Sequence, residues 1–194
     1  MTGNFQCRPA NIWSVFVPKQ NEQETVEHLR SLIRDIPDFP TPGILFRDIT
    51  PLLADADAFA DAVSLMAAPY AEIDHVVCIE SRGFIFGAPI AYRLGAGIVP
   101  VRKAGKLPFE TFVAEYALEY GQNTVEVHQD AIKPGERVII VDDLLATGGT
   151  IEAAIRLVEH FGASLAGIEV LIELEALGGR ERLSGHPVRS QIVY

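Results

Sequence analysis

Residues 138–150 read Val138-Ile139-Ile140-Val141-Asp142-Asp143-Leu144-Leu145-Ala146-Thr147-Gly148-Gly149-Thr150, and this stretch decides the fold. Four apolar residues in a row predict a strand buried on both faces, because a half-exposed strand would alternate apolar with polar. Two acids follow, predicted at the strand end where the sheet opens to solvent. A loop of small residues then leads into a helix predicted over Thr150 to Phe161. Small residues let backbone N–H groups approach a phosphate, and a helix N-terminus adds positive potential. Thr147 and Thr150 supply hydroxyl donors. Adjacent acids above such a cradle would repel the phosphate itself, so they suit neutral hydroxyls such as a ribose diol. The same spacing also suits an αβ loop whose aspartates only cap the helix. No lysine follows the glycines, which separates the segment from the P-loop pattern.

Around this segment the chain alternates. Strands are predicted at His75 to Ile79, Ile98 to Val101, Thr124 to His128, Arg137 to Val141 and Leu165 to Leu174. Helices are predicted at Glu22 to Arg34, from an N-cap at Asp57 through Ala68, and at Phe84 to Leu94. Three prolines and a glycine within residues 36–43 make that stretch a shaped loop, with a short strand at 44–46. Residues 107–120 read as less regular. Strands bounded by helices, with continuous apolar character, indicate an α/β fold: a mostly parallel twisted sheet flanked by helices. Ligands of such sheets bind beyond the carboxyl ends of the strands, so the loops 80–83, 102–106 and 142–149 are the ones to search.

The 194 residues suit one domain, with 48% hydrophobic and 22% charged residues as in ordinary globular chains. The net charge of −10 argues against a nucleic-acid partner, which would require basic contacts to phosphate. No apolar run approaches the roughly 20 residues of a membrane span, so no membrane partner is expected. The six-residue apolar patch at 12–17 has no basic start or cleavage site, and residues 1–22 read as an N-terminal extension preceding a single domain at 23–194. Cys7 and Cys78 cannot build a disulfide framework, and a cytoplasmic location is expected.

Charge inverts locally. Residues 80–106 carry five basic residues, Arg82, Arg93, Arg102, Lys103 and Lys106, against one acid, Glu80. A basic pocket beside two acids fits a diphosphate attached to a sugar; the alternative is a scattered solvated face, to which Arg93 is assigned.

The 138–150 segment resembles the ligand signature of type I phosphoribosyltransferases at every position. The resemblance extends over about residues 23–194, and it implies that family's fold, with a small hood. It implies that Asp142 and Asp143 hold the ribose hydroxyls of 5-phosphoribosyl-1-pyrophosphate (PRPP). It implies that Ala146, Thr147, Gly148, Gly149 and Thr150 wrap the 5-phosphate, and that Arg82, Arg102, Lys103 and Lys106 meet the pyrophosphate. The run Phe39-Pro40-Thr41-Pro42-Gly43-Ile44-Leu45-Phe46-Arg47-Asp48 is similar to the base loop of the adenine-specific members. Phe46 would stack on adenine, main-chain groups of Leu45 and Arg47 would read its edge, and Leu174 could line the base pocket. By residue type alone, Phe46 suits the core equally well.

Glu119, within Glu115-Tyr116-Ala117-Leu118-Glu119-Tyr120-Gly121, matches the family's acid for proton handling on the base, so Glu119 and Arg82 are the catalytic candidates. The implied reaction joins adenine to the phosphoribosyl group, giving AMP and diphosphate. Mg2+ is the implied cofactor, held mainly by substrate oxygens and not by a protein cage. A homodimer is expected, with residues 82–106 at or beside the interface and Phe84 and Phe86 packing across it. Two other readings stay open here: transfer to a different base, and a regulatory protein that binds PRPP without turnover.

Overall fold

The structure, a computed structural model, describes residues 21–117 and 122–194. The N-terminal extension therefore falls outside the described residues except at its last two positions, where α1 (Glu22–Ser31) begins behind an Asn21 cap. The helix stops before Arg34 because residues Arg34–Pro37 form a strand, β1, antiparallel to β2 (Leu45–Asp48). The proline-rich turn between them is the expected shaped loop. Next come α2 (Thr50–Ala54), a short helix not predicted, and α3 (Ala56–Ala67). The α3 cap is Asp55 and not Asp57: its carboxylate accepts from Asp57 N at 3.1 Å and Ala58 N at 2.9 Å.

The body is β3 (His75–Ile79), α4 (Gly83–Leu94), β4 (Gly97–Lys103), β5 (Thr111–Ala117), β6 (Gln122–His128), β7 (Arg137–Leu145), α5 (Gly149–His160), β8 (Ser164–Glu173), α6 (Gly179–Arg182) and β9 (Val188–Val193). Seven strands form one sheet in the order β5-β6-β4-β3-β7-β8-β9. Its centre is parallel, and the β4–β6 and β5–β6 pairings are antiparallel. The stretch expected to be irregular is thus partly the regular strand β5, the edge strand of the sheet, paired with β6.

The continuous apolar run of β7 is explained by two cores. Val138 and Ile140 pack with Ile151, Ile155 and Val158 of α5 on one face. Ile139 and Val141 pack with α1, α3 and α4 residues, including Leu29, Met66 and Phe86, on the other. Phe86 corrects one expectation. It is 0% exposed in the single chain and packs against Phe59, with ring centroids 5.8 Å apart, so no partner subunit can reach it. The exposed apolar residues of this region are Ile85, Tyr92 and Ile98.

Candidate active site

A register difference opens the site. β3 pairs with β7 only as far as Cys78 opposite Val141, whereas β8 continues beside β7 to Glu173 opposite Leu145. Beyond Val141 one edge of β7 is therefore free, and Asp142 and Asp143 stand at that opening. They lie inside β7, not beyond its end as the sequence suggested, because the long β8 keeps β7 extended.

An open cavity of about 330 Å³ lies here, lined by Ser81 and Arg82 from the β3–α4 connection, Lys103, Tyr116, Asn123, the two aspartates and Thr150. Asp142 Oδ1 accepts from the Asp143 backbone N at 2.9 Å. Asp143 is 5% exposed, and its Oδ2 lies 2.9 Å from Arg82 Nε. Burial pushes both carboxyls above the usual carboxylate range. The neighbouring Asp143 charge raises Asp142 further, while the Arg82 guanidinium opposes the rise at both. Hydroxyl donors from a ligand would favour their ionised forms. Gly83 lets α4 start against this pair: a Cβ there would sit 2.9 Å from Val141 O and 3.0 Å from Asp142 Oδ1.

The loop at 146–149 joins β7 to α5. No side chain caps α5, which leaves backbone N–H groups of its first turn pointing at the loop. Gly148 has φ +78°, and a Cβ on it would meet Gly179 O at 2.9 Å. Gly179 in turn could not carry a Cβ, which would sit 2.2 Å from Ala146 O. The loop is thus braced from behind by the start of α6. That brace is tied by Arg180, whose guanidinium forks onto the buried Glu173 at 2.9 and 2.5 Å.

The basic candidates divide. Arg82 and Lys103 line the cavity. Arg102 instead faces Glu80, with Nε–Oε2 at 3.1 Å and Nη2–Oε1 at 3.4 Å, and donates from Nη1 to Lys106 O at 3.1 Å. Lys106 sits farther along the exposed loop. Arg93 donates to Ser64 Oγ at 3.3 Å, near the far end of α4.

Phe46 stands on the other side of Arg82, whose Cζ is 5.4 Å from the ring centroid. Phe39 meets Phe46 edge-on at 5.1 Å. Leu45 is exposed, and among the described residues no second strand pairs with the outer edge of β2. The Arg47 side chain pairs with Asp35 and lies 3.7 Å over the Tyr194 ring, so that only its main chain is left to read a base. Leu174 is half-buried where β8 ends, with its N donating to Leu145 O at 2.9 Å. Leu45, Phe46, Arg47 and Leu174 flank the cavity and are not part of its lining. Glu119 lies outside the described residues. Sequence reasoning missed Tyr116 and Asn123, a facing pair on β5 and β6. Ala114 and Tyr116 are buried where Val113 and Glu115 are exposed, but an apolar Val113 on the outer face hides that alternation from the sequence.

Among the described residues no group of three or more His, Cys, Asp and Glu side chains could hold a metal. The two aspartates at the cavity edge can accept from metal-bound water or sugar hydroxyls. Such a donor set fits a Mg2+ ion carried largely by substrate oxygens.

Two acids beside a glycine loop that opens a helix, on a mostly parallel sheet, agree with the class that the whole chain shows: the sequence pattern of a phosphoribosyl transferase domain matches residues 52–193. An adenine phosphoribosyltransferase of Roseiflexus sp. strain RS-1 is 56% identical over 169 residues, covering 86% of this chain and 98% of that protein. The crystal structure of the Rhodothermus marinus adenine phosphoribosyltransferase superposes with a TM-score of 0.85 at 50% identity, covering 89% of this chain and 99% of that one. The Saccharomyces cerevisiae enzyme, solved with an imino-altritol bisphosphate and adenine, gives 0.82 at 42% identity, covering 87% and 99%. The chain belongs to the adenine phosphoribosyltransferase family.

Proposed function

We propose that this chain transfers the 5-phosphoribosyl group of PRPP to adenine, giving AMP and diphosphate, a purine-salvage step. The observation that carries the reading is the placement of Arg82, with Asp143 2.9 Å from its Nε and the Phe46 ring 5.4 Å from its Cζ. One guanidinium thus joins a sugar-binding acid to a base-stacking ring.

In this reading the 146–150 loop takes the 5-phosphate on backbone N–H groups and the Thr147 and Thr150 hydroxyls. Asp142 and Asp143 accept from the ribose hydroxyls. Diphosphate competes for Arg82 as the sugar occupies Asp143, and Lys103 adds positive charge where the leaving group gathers negative charge. Arg102 keeps its partner Glu80 and shapes the loop that carries Lys103 and Lys106. Adenine stacks on Phe46, with Leu45 and Arg47 main-chain groups at its edge and Leu174 behind. Glu119 is the group assigned to the proton on the base. Mg2+, the proposed cofactor, supplies charge neutralisation at the diphosphate.

A homodimer and a cytoplasmic location belong to the same reading. The exposed Ile85, Tyr92 and Ile98 beside the basic region support the first. A free, buried Cys78 thiol supports the second, and among the described residues no helix is long and apolar enough to cross a membrane.

The base site is tested by Phe46→Ala. Loss of stacking raises KM for adenine by about 5- to 150-fold, with KM for PRPP little changed. Equal rises in both would remove Phe46 from the base site.

A further inference from the structure

Glu126 is a buried charged residue on β6, near the edge of the seven-stranded sheet. It lies at the centre of β6, opposite Arg102 of β4 and Val113 of β5, and is 5% exposed. A carboxylate in such a place is costly unless its oxygens are filled with donors. Its donors come mainly from one segment. Oε1 accepts from the backbone N of Lys106 and the backbone N of Leu107, each at 2.8 Å. Oε2 lies 3.5 Å from Thr111 Oγ1. Burial works to raise the pKa of this carboxyl, and the N–H groups of Leu107, Gly105 and Lys106 outweigh it, so the net direction is downward and the group is held ionised.

The segment it grips is the basic loop after β4. The front of that loop is held by Glu80, which accepts from Lys103 N at 3.1 Å and pairs with Arg102. Its far side is held by Glu126. Both carboxylates take main-chain N–H groups of the very residues that carry ammonium side chains. Neither the Lys103 nor the Lys106 ammonium forms an ion pair among the described residues. Two buried or half-buried anions therefore fix the backbone of a cationic loop through its N–H groups and not through a close ion pair to either ammonium, the Lys106 charge acting on Glu80 only from a distance. Had either glutamate met an ammonium instead, that charge would be lost to an incoming diphosphate.

We propose that Glu126 is a positioning residue for the diphosphate end of the site, setting the course of residues 105–107 so that the lysines face the ligand. This rests on the phosphoribosyl-transfer reading, and the test keeps the two apart. Two conservative variants separate reach from charge. Glu126→Asp keeps the charge but withdraws the carboxylate by one methylene from Lys106 N and Leu107 N. Glu126→Gln keeps an acceptor oxygen at the same reach and drops the charge.

The readouts are calorimetric binding of inorganic pyrophosphate with magnesium, KM for PRPP and for adenine, and amide hydrogen exchange at Lys106 and Leu107. Glu126→Asp is expected to weaken pyrophosphate binding and raise KM for PRPP together, by about 5- to 30-fold, the scale of losing well-made buried hydrogen bonds to a charged group. Its KM for adenine stays unchanged, and exchange at both amides quickens. Glu126→Gln is expected to stay within about threefold of the parent protein, since a neutral acceptor retains much of such a bond. The proposal is overturned if Glu126→Asp binds pyrophosphate as the parent does, or if exchange quickens with no loss of binding. It is overturned equally if both substrates lose affinity alike, which is the mark of a purely structural role. A parent protein that binds pyrophosphate yet transfers nothing to adenine would sink the reaction and leave Glu126 to be judged on binding and exchange.

Discussion

Asp143 and Arg82 form an ion pair, and that pairing says how two opposite charges share a small cavity. In the proposed reaction a sugar and a diphosphate would give the two groups replacement partners. A carboxylate on the neighbouring strand β8 meets burial differently. Glu169, 0% exposed on β8, accepts from Tyr70 Oη at 3.0 Å and from the Gln191 amide, and Arg189 Nε stands 3.7 Å away. Those donors do not offset burial, which pushes its pKa up to about 7. An unfolded glutamate titrates near 4.3, so between the two values the native state holds a proton that the unfolded state has lost. The stabilisation is full below the lower value and is lost as pH rises through the upper one. Glu169→Gln removes that dependence. Its stability relative to the parent should improve as pH rises from about 4.5 to 8, by on the order of 3 kcal/mol at most. Thermal melts across that range give the comparison, and a difference that stays flat with pH would show that Glu169 is charged throughout.

Elements differ in how openly the sequence declares them. β3, β7 and β8 are legible because both faces are covered, and the apolar run can mean little else at that length. The aspartates and the glycine loop are legible for a related reason: their chemistry is contiguous, so one segment carries the whole motif. What is hidden depends on distant neighbours. The extension of β7 through Asp142 and Asp143 comes from the length of β8, and no residue of β7 announces it. β5 mixes Thr111, Glu115 and aromatic residues, and becomes a strand by pairing along its full length with β6. Asn123 enters the cavity through that pairing. β9 was unread because Val188–Val193 alternates weakly and gains its order from parallel pairing with β8. The charge count and the family resemblance point Arg102 toward ligand; its fork onto Glu80 joins the end of β4 to the residue after β3, a contact no local pattern announces.

Over the whole molecule, the net charge of −10 leaves room for a local reversal, because residues 80–106 hold five basic residues against one acid and two of the five, Arg82 and Lys103, reach the cavity. The same region carries exposed Ile85, Tyr92 and Ile98, while Phe86 is spent on the core. A two-fold dimer through that face would place each cavity near the partner. Sedimentation should then give twice the 21.2 kDa chain mass at micromolar protein. A monomer that retains full activity would remove the dimer and leave the chemistry standing.

The central claim is the reaction, and product identification tests it most directly. Purified protein is supplied with PRPP, magnesium and equal amounts of adenine, hypoxanthine and guanine, and the nucleotides are separated and weighed. The account predicts AMP formed with one diphosphate per nucleotide, and little of the other two products. No nucleotide at all, or hypoxanthine and guanine converted as fast as adenine, would contradict it.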